Sequence, residues 1–166
     1  MAAETAHTPI AVVRSGGQTG VDRAALDAAR AAGLRIAGWC PRGGWAEDRT
    51  QPPGLLADYP ELAETPTQDP AERTVWNVRD SDATLLVLLA GGTESSGTRL
   101  TLETAEALRR PVRVLQQGDP REVSDWLHGL GPGISLNVAG PRESEAPGSY
   151  ALTRRLLREI LGQRRH

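Results

Sequence analysis

Three stretches of this 166-residue chain join glycines to hydroxyl and amide side chains: SGGQTG (15–20), AGGTESSGT (90–98) and AGPRES (139–144). Each has an apolar run before it and a helix-like repeat after it. Glycine lets a backbone approach a ligand closely, and the N–H groups that open a helix lack intrahelical acceptors and carry the positive end of its dipole. Such a turn suits an anion, phosphate above all, and requires no metal. The candidate ligand-binding residues are Gly16, Gly17, Gln18, Thr19 and Gly20 from the first stretch, with Asp22 and Arg23 from the helix start after it. The second stretch and the start of the helix after it supply Gly91, Gly92, Thr93, Gly97, Thr98 and Thr101, with the Ser95 and Ser96 hydroxyls also read as phosphate contacts, and the third supplies Gly140, Pro141, Arg142 and Ser144. Backbone N–H groups of Gly16–Gly20 and Gly97–Thr98 are expected to hold the phosphate. Arg23, Arg42, Arg73 and Arg142 are placed to clamp it in bidentate fashion.

The same stretches exclude two familiar chemistries. No Gly-Lys-Ser/Thr occurs, so SGGQTG is not a Walker A loop, and it does not fit G-x-G-x-x-G. The second strand candidate ends in GWCPRGG, without the acid that holds a ribose hydroxyl, which speaks against a dinucleotide. A serine nucleophile needs a base, and no histidine stands in the three loops.

Several side chains carry two readings. Asp22 either caps the first helix or holds a ligand hydroxyl or Mg²⁺. Glu47 and Asp48 are solvated loop charge, or a pair that accepts a base edge or binds a metal. Arg73, Thr74 and Asn77 share a helical face by spacing and are read as ligand contacts. Trp45 is the tryptophan to consider for stacking on a ring. Cys40 is read as a small buried hydrophobe, and no clustered metal-ligand spacing appears. His7, His128 and His166 are read as surface residues.

The elements that position these residues follow from periodicity. Strands are expected at Ile10–Arg14, Arg35–Trp39, Ala83–Leu89, Val112–Gln116 and Ile134–Val138, with Ala83–Leu89 central. Helices are expected at Val21–Ala32, Arg73–Arg79 (capped by Thr74), Arg99–Arg110, after Asp119-Pro120, and at Tyr150–Leu161. Alternating strands and helices imply an α/β fold, a mainly parallel sheet with helices on both faces. The connection Cys40–Asp69 is too long for an inert linker and is expected to act as a lid over the ligand.

Length and composition fit one soluble domain spanning 1–166, with 1–8 and 163–166 frayed. A net charge of -2 argues against nucleic acid as the main partner. A single cysteine fits the reducing cytoplasm. No apolar run approaches the ~18 residues of a membrane span, and the start lacks the pattern of a signal peptide.

SGGQTGVDRAALDAA, GWCPRGGWAED, ERTVWNVRDSDATLLV, SGTRLT and LNVAGPRESEAPGSY, in that order, resemble the molybdenum cofactor carrier family. That family is the circularly permuted, YpsA-like branch of the SLOG superfamily, which also contains the lonely-guy enzymes. The resemblance runs from about Ile10 to Leu161. It implies a Rossmann-like three-layer α/β/α fold, permuted relative to lonely-guy proteins, because the unit LNVAGPRES that opens those proteins is last here. It also implies a bound nucleotide or pterin phosphate such as molybdenum cofactor, a carrier or sensor role, and a homo-oligomer. The alternative is a nucleotide hydrolase or phosphoribohydrolase. Lonely-guy enzymes carry a glutamate three residues after their Gly-Thr pair. Thr101 stands there in this chain, and Glu103 lies two residues on. Trp45 and Arg49 depart from the family's lid pattern.

Overall fold

The structure is a computed structural model that describes residues 8–92 and 95–162. Thr93, His7 and His166 lie outside the described residues. The chain runs β1 (Ile10–Arg14), α1 (Val21–Ala31), β2 (Arg35–Ala37), β3 (Trp39–Cys40), a 3-10 turn (Arg42–Gly44), α2 (Leu55–Asp58), β4 (Ala63–Glu64) and α3 (Pro70–Arg79). It continues with β5 (Ala83–Val87), α4 (Ser96–Ala107), β6 (Val112–Leu115), α5 (Pro120–Leu130), β7 (Ile134–Ala139) and α6 (Ser149–Leu161).

Five strands form a parallel sheet in the order β2-β1-β7-β5-β6. The last strand of the sequence is therefore the middle of the sheet. Val13 pairs with Leu136 and Leu85 with Val138. Helices α1, α5 and α6 pack together in one layer, and α3 packs on α4 in the other. This is the expected three-layer, Rossmann-like arrangement. The apolar layer is continuous from Val13 through Leu136, Val138 and Leu85 to Val87, closed by Leu26, Leu127 and Leu157. Strand β5 is buried at every position, as a strand covered on both faces should be.

Several boundaries differ from the periodicity. The strand expected at Arg35–Trp39 breaks at Gly38, after which β3 leaves the main sheet and pairs with β4. Strand β5 is interior, but β7 holds the centre. Helix α3 begins at Pro70, and its cap is Asp69, which accepts from Ala71 N at 3.0 Å. Proline at the first helical position and an acid before it override Thr74, whose hydroxyl turns back to Pro70 O at 3.0 Å. Helix α4 starts at Ser96 because the Ser95 hydroxyl accepts from Thr98 N.

The segment expected to be a lid is packed down. Leu55, Tyr59 and Leu62 are buried in the core. One face of α1 holds the rest: Arg23 on Asp48, Asp27 on Tyr59 and Arg30 on Glu61. The segment lies against α1, and closure over a ring is not what its contacts provide.

Candidate functional site

Strand β7 lies between β1 and β5, so the three glycine-containing stretches that follow these strands are side by side. Ligands in open α/β sheets bind at this edge, outside the carboxyl ends of the strands. A cleft of about 340 Å³ opens there. Its walls are Gly16, Gln18 and Asp22, the first turns of α3 and of α4, and the end of β7 with Arg142 and Glu145.

The α4 wall is the end of a 12-residue helix. Ser95 caps it, the Ser95 and Thr98 hydroxyls are 3.0 Å apart, and the Thr101 hydroxyl donates to Gly97 O at 2.9 Å. Ser96 and Gly97 are exposed at the cleft, and first-turn N–H groups have no intrahelical acceptor.

The cleft lining also holds a buried ion pair. Arg73 is 8% exposed and Asp22 7%. Arg73 Nη1 donates to Gly16 O at 3.1 Å and lies 3.9 Å from Asp22 Oδ2. Burial raises the Asp22 carboxyl to about 6, against the pull of Arg73 and of the Gln18 N–H. Burial likewise draws the Arg73 guanidinium below its ordinary value, and Asp22 opposes that. Gly16 has no room for a side chain, since a Cβ would sit 2.6 Å from Arg73 Nη1.

In SGGQTG two carbonyls and two N–H groups are used within the fold. Its carbonyls face arginines: Gly16 O accepts from Arg73, and Gly17 O accepts from Arg23 Nε at 3.0 Å. Gly17 N–H donates to the Ser15 hydroxyl, and Thr19 N–H to Gln18 Oε1. Gly20 begins α1 at φ +80°, where a Cβ would meet Pro141 O at 2.5 Å. Gln18 Oε1 accepts from the backbones of Thr19 and Glu47, both at 3.0 Å. Both neighbours are donors, which fixes the amide orientation. Gln18 Nε2 is buried without a partner among the described residues.

The third turn is filled from within. The Glu143 carboxylate accepts from Gly148 N at 2.7 Å, Tyr150 N at 2.9 Å and the Ser149 hydroxyl at 3.0 Å, so the amino end of α6 already holds an anion. Burial pushes Glu143 up, but these donors outweigh it and leave the carboxyl below its usual range. Beside it, Glu47 accepts from the hydroxyls of Thr19 and Ser144, with Arg142 Nη1 3.9 Å away. Arg142 Nε also lies 3.2 Å from Glu145.

Of the sequence-predicted residues, the cleft gathers Gly16, Gln18, Asp22, Arg73, Thr74, Asn77, Gly97, Thr98, Thr101, Gly140 and Arg142. Asn77 holds the fold as well, with its amide bonded to both Trp39 N and Trp39 O. Thr19, Arg23, Glu47, Asp48 and Ser144 form the joint between loops beside the cleft. Gly17, Gly20, Pro141, Gly91, Gly92 and the exposed Arg42 do not line it either. Trp45 is half-buried outside the cleft. Ser95 and Ser96, two further hydroxyls read from the second stretch as phosphate contacts, line it too, and Asp69, Asn137 and Glu145 line it with no such expectation. The Asp-Pro start of α3 was the available signal for Asp69. Asn137 had none, being one polar residue inside an apolar strand.

Cys40 is buried, its Sγ 3.5 Å from Ala63 O, and burial pushes its thiol up to about 11. Among the described residues, no three His, Cys, Asp or Glu side chains are grouped to hold a metal ion. No helix among them is long and apolar enough to cross a membrane.

Comparison with solved structures finds a crystal structure of a protein from Syntrophus aciditrophicus SB named "Putative molybdenum carrier protein". It is 33% identical, with a TM-score of 0.81, over 94% of this chain and 97% of that one. No curated protein matches. The family model described as "Circularly permutated YpsA SLOG family" matches residues 13–161. A match over nearly the whole chain, with the last strand lying at the middle of the sheet, places this chain in the circularly permutated YpsA SLOG family.

Proposed function

We propose that this chain binds a phosphorylated, nucleotide-like small molecule in the cleft between α3 and α4, as a carrier or sensor. The observation that carries the reading is the buried Arg73 lining the same cleft as the amino end of α4. The phosphate docks on the Ser96–Thr98 turn, with Arg73 and Arg142 as counter-charges. Molybdenum cofactor is the first candidate cargo, in line with the name of the Syntrophus protein. The donor set suits its phosphate and its ring. The cleft contributes no thiol, and Cys40 is a protonated, buried thiol, so the handles on such a cargo are phosphate and pterin.

The experiment is native mass spectrometry of the protein purified without added ligand, with metal analysis of the same sample, followed by affinities for a panel of nucleoside monophosphates and pterin phosphates. Binding weakened at least tenfold by Arg73→Gln supports the reading. Affinity unchanged in that variant rejects it.

One observation favours a second reading, a nucleotide hydrolase. Asp22 is a cleft carboxyl raised to about 6, a value suited to a general acid or base near neutral pH. Glu103 is exposed and does not line the cleft, and Thr101 is buried with its hydroxyl engaged. Release of free base from the monophosphate panel, abolished in Asp22→Asn, establishes this reading. No turnover with intact binding removes it.

A further inference from the structure

We propose that anion binding in this cleft is linked to protonation of Asp22: when an anion docks on Arg73 and the amino end of α4, the neighbouring carboxyl takes up a proton from solvent. The inference rests on the binding reading above and adds how the site ranks ligands by charge.

The geometry leaves little choice. Asp22 Oδ2 is 3.9 Å from Arg73 Nη1, and each side chain is 10% exposed. Both line the same cleft as Gly97 and Thr98. An anion that reaches the guanidinium therefore comes within a few ångströms of the carboxylate. Like charges at that range in a poorly solvated site repel strongly, and the carboxyl relieves the conflict by becoming neutral.

The other charged groups nearby are already paired or are acids. Arg23 on α1 acts on Asp22, but its own guanidinium is bonded to Asp48 through both terminal nitrogens and to Gly17 O through Nε. Arg142, from the loop after β7, is shared with Glu47 and Glu145. The other charges on the lining, Asp69 at the start of α3 and Glu145, are acids. Arg73 is the main group holding the carboxyl down against desolvation. An anion that draws on Arg73 weakens that hold, so the proton is gained near neutral pH. The neutral carboxyl then donates its O–H to an anion oxygen.

Ligands are thereby sorted by charge. A diester or a singly charged phosphate is accepted across a wide pH range, whereas a dianion is accepted with a proton and is increasingly refused as pH rises.

The test uses inorganic sulfate, whose charge is constant from pH 5 to 8, titrated into the full-length protein at fixed ionic strength. The Gly97 and Thr98 amide resonances report binding. The apparent Kd of the wild type is expected to rise about 20-fold between pH 5.5 and 7.5, and that of Asp22→Asn less than twofold. Calorimetry in buffers of different ionisation enthalpy counts close to one proton taken up per sulfate at pH 7 in the wild type and none in the variant. A wild-type Kd that is flat with pH, or an Asp22→Asn variant that keeps the steep dependence, overturns the linkage and leaves the binding reading standing. Sulfate that fails to perturb Gly97 and Thr98 at any pH overturns the binding reading itself, and the linkage with it.

Discussion

Arg23 and Asp48 meet in a two-point ion pair, Nη1 to Oδ2 at 2.9 Å and Nη2 to Oδ1 at 2.8 Å, across the boundary between α1 and the long 40–69 connection. The sequence offers them as ligand contacts; in the structure they bind each other. The third donor of the guanidinium, Nε, goes to Gly17 O. The pair therefore fixes SGGQTG on one side and the connection on the other.

Breaking this pair should loosen the joint without emptying the cleft. Asp48→Asn leaves the buried Arg23 with a weaker partner. The Asp48 side chain is 40% exposed, so solvent screening limits the loss to about 1 kcal/mol. Arg23 holds the Asp48 carboxyl below its ordinary value. Its contribution is thus present above the unfolded carboxylate range and lost as pH falls through the depressed folded value. Thermal melts should show the wild-type advantage at pH 6 and its disappearance toward pH 2, with cleft affinity changed less than twofold.

Asp22 has the opposite sign. Its folded carboxyl titrates near 6, above the unfolded range, so the folded state binds the extra proton between the two values. Stability from this group falls as pH rises through that window. Asp22→Asn, which resembles the neutral form, should be more stable than the wild type by about 2–3 kcal/mol at pH 8 and equal to it at pH 4. Denaturant titrations at the two pH values decide this. An equal destabilisation at both would assign Asp22 a packing role instead.

Glu143 should behave as a built-in anion. It closes the amino end of α6 through two backbone N–H groups and one hydroxyl. Glu143→Ala removes a charge-assisted cap and should cost about 1–2 kcal/mol in denaturant unfolding. Glu143→Gln, which keeps an acceptor, should recover part of that. If neither variant moves the midpoint, the cap is not stabilising.

Much of the fold was legible because period and punctuation agreed. Ile10–Arg14 is a strand with the boundaries its apolar run implies, and Asp119-Pro120 opens α5 as cap and first residue. The site was legible at the level of three loops, because their order in the sheet brings them to one edge. What each loop does there was not. A glycine loop before a helix predicts close approach, but not whether the approaching group is a ligand, an arginine or a neighbouring carbonyl. At Gly16 it is Arg73, 57 residues away, and at Gly20 it is Pro141. Likewise the acid that fills the third helix terminus, Glu143, lies inside the very stretch that promised an anion site. Long-range partners of this kind carry no local periodic signal.

Gly16 offers the sharpest probe of the cleft. Its backbone is not in the left-handed region, so alanine is conformationally allowed there, and the conflict is steric alone. The new methyl would lie 2.6 Å from Arg73 Nη1 and 2.9 Å from its Cδ. Arg73 is too enclosed to swing into solvent, so it must give up Gly16 O and shift relative to Asp22. Overpacking of this sort costs about 1–3 kcal/mol. If Arg73 is the anchor of the bound anion, Gly16→Ala should also weaken sulfate or nucleoside monophosphate binding by at least tenfold. Gly97→Ala supplies the contrast: a Cβ there meets only Ser95 Oγ at 3.9 Å, and binding should fall by less than threefold. Equal losses in the two variants would move the anchor from the Arg73 wall to the amino end of α4.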